Sequence, residues 1–288
     1  MAIRNLSGRK CLVTGAASGI GRATALAAAR EGALLFLTDI NGPGLARVAA
    51  EIEAAGGIVA LSRALNIEDI AAVRTFADDI HRKSGPLDIV MNIAGISIWG
   101  EVENLTHEHW RQVVEINLMG PIHVIECFIP AMIAGGRGGH LVNVSSAAGL
   151  FGLPWHAAYS AAKFGLRGIS EVLRFDLARH GIGVSLVCPG AVRTGLVETI
   201  KVLGVDVRSP AVQAFRAGFE HRAVTPEAAA AAILKGIRRN RYLVFTSADI
   251  RIGHWLQCRL PFLYRLLMRR LNDRMQAVAA ASRRGAAS

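Results

Sequence analysis

Tyr159 and Lys163, in the stretch Trp155-His156-Ala157-Ala158-Tyr159-Ser160-Ala161-Ala162-Lys163, stand four residues apart. On a helix that spacing puts the two side chains one above the other on a single face. A phenol with its ordinary pKa of about 10 is a poor proton acceptor at neutral pH. Bringing that pKa to about 7 needs roughly 4 kcal/mol of preference for the phenolate. One ammonium about 4 Å away, at an effective dielectric of about 20, supplies an interaction of that order. The pair could therefore exchange a proton with an alcohol or a carbonyl. Any long helix can carry Tyr-x-x-x-Lys by chance, so the rest of the chain decides what it means.

Near the N-terminus, Arg9-Lys10-Cys11-Leu12-Val13-Thr14 reads as a short buried strand that runs straight into Gly15-Ala16-Ala17-Ser18-Gly19-Ile20-Gly21. The residues from Arg22 to Glu31 are rich in strong helix formers, and Gly32 ends them. In a strand–turn–helix unit, glycines let the backbone approach a pyrophosphate at a helix N-terminus, which favours anions. The spacing is G-x-x-x-G-x-G rather than the commoner G-x-G-x-x-G. A second strand, 33–38, leads to Asp39, 24 residues after Gly15. An acidic residue there accepts hydrogen bonds from adenosine ribose hydroxyls and repels the 2′-phosphate of NADP. Ser18 and Ile40, the neighbours best placed to offset it, are not basic. NAD is thus favoured over NADP; the plainer alternative for Asp39 is a solvated strand end.

With these residues assembled, the chain resembles the short-chain dehydrogenase/reductase family over about residues 5–246. Thr14-Gly15-x-x-x-Gly19-x-Gly21 is similar to the family's cofactor loop, which implies contacts from Gly15, Ser18, Gly19, Ile20 and Gly21. Asn92-Ile93-Ala94-Gly95, after the strand at 87–91, resembles its Asn-x-Ala-Gly element and implies cofactor contacts from Asn92, Ala94 and Gly95. Asn117 matches the catalytic asparagine on a long helix. Val142-Asn143-Val144-Ser145-Ser146 is similar to the strand end carrying the catalytic serine, and Ser146, thirteen before Tyr159, has the family's spacing. Pro189-Gly190, followed by Val192 and Thr194, resembles the loop that holds the nicotinamide carboxamide. Where the family often has an aspartate against the adenine, this chain has Asn66, whose amide can still accept a hydrogen bond.

The resemblance implies reversible hydride transfer between NAD and a secondary alcohol or ketone. Tyr159 would take or give the hydroxyl proton. Lys163 would lower the tyrosine pKa and bind the nicotinamide ribose. Ser146 would donate to the substrate oxygen, and Asn117 would hold a water linking Lys163 to solvent. A second reading within the family is an NADPH-dependent 3-oxoacyl-type reductase, against which Asp39 stands. A third is a catalytically silent NAD-binding sensor or scaffold. The intact set Asn117, Ser146, Tyr159 and Lys163 stands against that one.

The elements that must position these residues follow from periodicity. The chain has 288 residues, 52% of them apolar, enough for one large α/β core and not for a second full domain. Strand-like runs at 33–38, 58–62, 87–91, 139–144, 183–188 and 242–246 alternate with helical ones after the first strand. That alternation predicts a doubly wound parallel sheet, a Rossmann fold with helices on both faces. Right-handed crossovers and the family likeness give the order 3-2-1-4-5-6-7. The expected division is a dehydrogenase domain at 1–250, with a substrate lid at about 195–224, and a C-terminal helical extension at 251–288. The family likeness also implies a homodimer or homotetramer, built through long helices at about 107–134 and 155–179.

The four cysteines and nine histidines show no metal-ligand spacing, so no metal is expected, and the thiols read as free. His156 could touch substrate or be a plain loop histidine. No signal peptide is expected, since the first strand begins within about ten residues. No run of about 18 apolar residues is apparent, so no membrane-spanning helix is expected and the compartment reads as cytoplasmic.

Ile96, Ile98, Trp99, Leu153, Trp155, Leu196, Val197 and Ile200 are candidate walls of a substrate pocket, and no Arg or Lys adjoins the serine–tyrosine stretch. A lipophilic alcohol or ketone, such as a sterol, retinoid-like or fatty alcohol, is expected. The net charge of +11 is uneven: residues 208–288 hold 15 basic and 4 acidic residues, the rest of the chain equal numbers. Leu260, Leu263, Leu267 and Leu271 repeat at helical spacing among Arg259, Arg265, Arg269 and Arg270. Such a stretch, 254–275, fits either a peripheral contact with an anionic membrane, anchored by Trp255, or a helix packed on its own core or a neighbouring subunit. Nucleic acid is not an expected partner, because no recognised module accompanies the charge. Residues 276–288 are expected to fray.

Overall fold

Apolar residues fill both faces of the central strands, the pattern of a parallel sheet buried between helices. The computed structural model describes residues 3–193, 201–221 and 223–285. Its main sheet is built from β1 (Lys10–Thr14), β2 (Leu34–Asp39), β3 (Ile58–Ala64), β4 (Ile89–Asn92), β6 (Gly139–Val144), β7 (Ile182–Cys188) and β9 (Leu243–Phe245). A separate two-stranded sheet joins β5 (Ile98–Trp99) to β8 (Lys201–Val202). The main order is β3-β2-β1-β4-β6-β7-β9, and every pairing in it is parallel. Numbered among themselves, these seven strands give the expected 3-2-1-4-5-6-7.

Alternation along each strand divides the core in two. Leu35, Leu37, Met91 and Val142 face α1 (Gly19–Arg30), α2 (Gly42–Ala54) and α8 (Pro226–Arg238). Phe36, Val90 and Leu141 face α3 (Ile70–Ser84) and α5 (Gly120–Gly135), where Phe76 meets Phe128 edge-on. The buried residues of α1 are small, Gly21, Ala23, Thr24, Ala25 and Ala28, which lets the helix pack closely. The remaining helices are α4 (His107–Val114), α6 (Ala157–Asp176), α7 (Pro210–His221), α9 (Ala248–Arg259) and α10 (Pro261–Gly285).

Three expectations need correction. The long helix at 107–134 is interrupted by a π-helical turn, Glu115–Met119, between α4 and α5. Taken as one rod, His107–Gly135 is long enough to cross a membrane and its most apolar 18 residues have mean hydropathy 1.6, contrary to the reading that no helix is long and apolar enough. Its Val124, Phe128 and Met132 are spent on the core beneath the sheet. The chain end does not fray from 276 onward. α10 runs to Gly285, with Met275, Ala279 and Ser282 buried, and the Ser282 hydroxyl accepts from the Asp206 N–H at 2.7 Å.

Candidate active site

The C-terminal ends of the parallel strands converge at a crevice, where the order of the sheet switches direction beside β1 and β4. At the end of β1, Gly15 has φ of +69°, and a Cβ there would lie 2.8 Å from the Ala94 Cα. That approach brings the two loops together, and Thr14 fastens them. Its hydroxyl accepts from the N–H of Ile93 at 2.9 Å and of Ala94 at 3.1 Å. Sequence reasoning gave Thr14 no role of its own. Its signal was a buried hydroxyl at a strand end where the neighbouring positions are apolar.

Ser18 is the N-cap of α1, yet its side chain makes no capping bond, and the first turn of α1 carries no acidic residue. The N–H groups of that turn are therefore free to bind an anion, with Gly19 at φ of +51° and Gly21 lying against the Gly15 carbonyl. Ile20 packs on the core below. These features fit a dinucleotide pyrophosphate. Asp39 ends β2, its carboxylate accepting from the Ala17 N–H at 2.9 Å and the Asn41 N–H at 2.8 Å. Asn66 is folded onto its own loop: its Nδ2 donates to Glu68 at 2.6 Å and its Oδ1 accepts from the Glu68 N–H. Asn92 is buried at the end of β4, donating to Asn143 at 2.9 Å, while its own Oδ1 has no partner.

The residues expected to handle the proton lie next to these loops. Ser146, at the end of β6, starts a 3-10 turn and accepts from the Ala148 N–H. It lies near enough to Tyr159 to draw that phenol's pKa down. Ser145 points the other way, donating to the Lys163 carbonyl at 3.0 Å, and a Cβ on Gly149 would collide with it. One serine braces α6 and the other faces the tyrosine. Lys163 is 3% exposed, with Nζ donating to the Val144 carbonyl at 3.0 Å. Asn117 sits in the π-helical turn, where its Nδ2 donates to the Ile96 carbonyl at 2.9 Å and its Oδ1 accepts from the Ile96 N–H at 3.0 Å. Such single turns occur often at functional sites. Both polar atoms of the side chain are thus engaged. A water held at Asn117 would sit on its main-chain carbonyl, not on the amide.

The electrostatics differ from the simplest reading of the spacing. Burial pushes Tyr159 up to about 12, and nearby Ser146 only partly offsets this. Burial pushes Lys163 down to about 8, opposed by a nearby thiol, Cys188. Its Nζ lies 5.7 Å from the centre of the Tyr159 ring. In the protein alone, desolvation disfavours the charged form of both groups.

The model match covers residues 9–202 and is to the family described as short chain dehydrogenase. The chain belongs to that family. As a short chain dehydrogenase it is 33% identical over 251 residues to the oxidoreductase SadH of Mycobacterium tuberculosis strain H37Rv, across 86% of this chain and 89% of that one. It is 36% identical over 195 residues to the 3-oxoacyl-(acyl-carrier-protein) reductase FabG of Thermotoga maritima, across 68% of this chain and 78% of that one. A short chain dehydrogenase of Burkholderia phymatum, solved in complex with NAD, superposes with a TM-score of 0.79 at 28% identity, covering 91% of this chain and 96% of that one. The protein is an NAD(P)-dependent oxidoreductase of the dehydrogenase/reductase type.

Near Tyr159, Trp99 stacks on His156 with ring centres 4.4 Å apart, and the Gly100 N–H donates to the Trp155 carbonyl at 2.8 Å. Trp155 holds φ of +67°, a costly conformation for a large side chain. His156 is buried 6.2 Å from Tyr159, Nδ1 against the Pro154 carbonyl, so it is a wall of the crevice more than a loop residue. Ile98 is core, packed with Val113, Ala158 and Ala162; Ile96 and Leu203 lie against that cluster. Leu153 packs with Phe151 and Ile250. Pro189 accepts from the Ala147 N–H, a Cβ on Gly190 would meet Ile250, and Val192 bridges to Val224. Thr194, Leu196, Val197 and Ile200 lie outside the described residues.

Proposed function

We propose that the protein interconverts a lipophilic secondary alcohol and its ketone with NAD, using Tyr159 as the proton donor and acceptor. The observation that carries the reading is the gathering of Tyr159 and buried Lys163 beside Gly95 and Asn117, with Ser146 close to the phenol. Bound NAD would supply the nicotinamide, the hydride carrier. The chain's own residues do the remainder. Gly15, Ser18, Gly19, Ile20 and Gly21 would cradle the pyrophosphate. Ala94, Gly95, Pro189, Gly190, Val192 and Thr194 would line the nicotinamide end, and Asn66 the adenine end. Asn92 would act from behind, as a buried prop of the same loop.

As a protonated phenol, Tyr159 is ready to give its proton to a carbonyl oxygen while Ser146 donates a hydrogen bond to that oxygen. The reverse direction needs the phenolate, and Lys163 is the chain's own cation able to favour it. Asn117 fixes Ile96 and would leave its carbonyl for the water that lets protons reach solvent. The apolar side chains of Ile96 and Leu153, with Trp99 and Trp155 joined to this region through His156 and Gly100, support a lipophilic substrate, and the segment 195–224 would close over it.

Asp39, at the tip of β2, supports NAD over NADP. The described cysteines are all unpaired, which suits a reducing, cytoplasmic compartment. Phe164, Val172 and Phe175 leave an apolar stripe on the outer face of α6, as a homodimer or homotetramer through α4–α6 would require. Residues 1–250 would then form the catalytic unit and 251–288 an appended extension.

Tyr159→Phe should lower turnover by at least about 10²–10⁴ while NADH still binds. Near-normal turnover would remove the assignment. Asp39→Ser should narrow the preference for NAD over NADP, and an unchanged ratio of kcat/KM values would remove the ribose reading.

A further inference from the structure

Helices α9 and α10 present a face that plays no part in the reaction. α10 packs inward through Tyr264, Met268, Leu271 and Met275, which recur at intervals of four, three and four along one side. The Tyr264 hydroxyl donates to the Gly152 carbonyl at 2.8 Å, and its ring meets Phe151 edge-on. Phe262 and Leu266 lie on the opposite side, Leu263 and Leu267 on its flank, and all four are exposed, Phe262 by 59%. From α9, Ile252 and Trp255 add to them, Trp255 being 55% exposed. Six large apolar side chains are thus exposed within sixteen residues of sequence, a concentration of the kind that marks a contact surface.

The same stretch holds Arg251, Arg259, Arg265, Arg269 and Arg270, all exposed, and no acidic residue between Asp249 and Asp273. None of these arginines belongs to an ion pair among the described residues. We propose that this face docks on the surface of an anionic lipid bilayer, with Trp255, Phe262 and Leu266 entering the acyl boundary and the arginines lying at the phosphates. Apolar anchors interleaved with arginines match a layer that offers acyl chains and phosphates at neighbouring depths. A second copy of the chain is a poor occupant. A twofold interface sets each patch against itself and would bring five arginines onto five arginines. The docking stands independently of which alcohol or ketone the site takes.

The test uses the full chain and extruded vesicles, phosphatidylcholine alone or mixed with phosphatidylglycerol, in low salt. The chain should sediment with the mixed vesicles and not with phosphatidylcholine. Arg265→Gln, Arg269→Gln and Arg270→Gln together should weaken that binding by about a hundredfold, at roughly fivefold for each arginine. Phe262→Ser with Leu266→Ser should also weaken it, with NADH binding and circular dichroism unchanged. Equal sedimentation with both lipids, none with either, or variants that bind as the parent does would overturn the proposal. So would light scattering that shows a larger assembly for the parent than for Phe262→Ser with Leu266→Ser, since a second copy would then cover the face.

Discussion

Replacing Thr14 by valine keeps the volume of the side chain and removes one oxygen. That oxygen accepts from two N–H groups, of Ile93 and Ala94, at 2.9 and 3.1 Å, and Thr14 is itself 1% exposed. Valine leaves both donors without that partner, where the Gly15 and Ala94 backbones approach closely. An unsatisfied buried donor costs about 1–3 kcal/mol. Both donors are only partly buried, so the lower half of that range applies to each, about 2–4 kcal/mol in total. With an unfolding entropy of about 2.1 cal/mol/K per residue, a chain of this length would lose roughly 3–7 °C of Tm. The damage is local, because the freed loop carries Ala94 and Gly95, proposed above to line the nicotinamide end. NADH affinity should therefore fall as well, by about tenfold if 1.4 kcal/mol of the loss is spent there. Urea unfolding and NADH fluorescence titration measure the two effects. A stability change under about 0.5 kcal/mol, the scale of a neutral surface substitution, would refute the reasoning. So would a large stability loss with unaltered NADH affinity, since the loop would then not be what moved.

Acid should destabilise the protein through its buried histidines. Burial holds His140 and His156 down to about 4, while the unfolded chain protonates its histidines below about pH 6.5. Their contribution is complete above about pH 6.5 and is lost as pH falls toward 4, by about 3 kcal/mol per histidine at the lower end. Urea unfolding between about pH 7 and pH 5 reads the loss, and His140→Gln should remove about half of its slope; an unchanged slope would show that other groups govern it. Gly95→Ala would place a methyl 2.5 Å from the Asn117 Oδ1 and 3.5 Å from the Lys163 Nζ. Overpacking of that kind costs about 1–3 kcal/mol and should cut kcat about tenfold or more with the fold retained; steady-state kinetics at saturating NAD would reject the idea if kcat stayed within about twofold.

Much of this protein is written in local sequence. The strands at 33–38, 139–144 and 183–188 are apolar runs between turn residues, so period and punctuation place them within a residue or two of β2, β6 and β7. The glycine loop is legible because only glycine admits the backbone approach at Gly15 and Gly21. Spacing also places Tyr159 and Lys163 on one face of α6, since a helix fixes that relation by itself. What the spacing leaves open is solvent exposure. Burial by elements far along the chain drives Tyr159 up and Lys163 down, and no count of residues between them could reveal it. The division of labour between Ser145 and Ser146 is likewise tertiary, decided by which hydroxyl meets the carbonyl of Lys163. The π-helical turn at Asn117 arises where α4 and α5 must join while that amide reaches Ile96, 21 residues back. In the C-terminal extension, the sequence determined that apolar residues and arginines alternate along a helix. Only packing decided that Tyr264 and Met275 turn inward and Phe262 and Leu266 outward, because a helix with apolar residues on both sides can bury just one of them against a single partner.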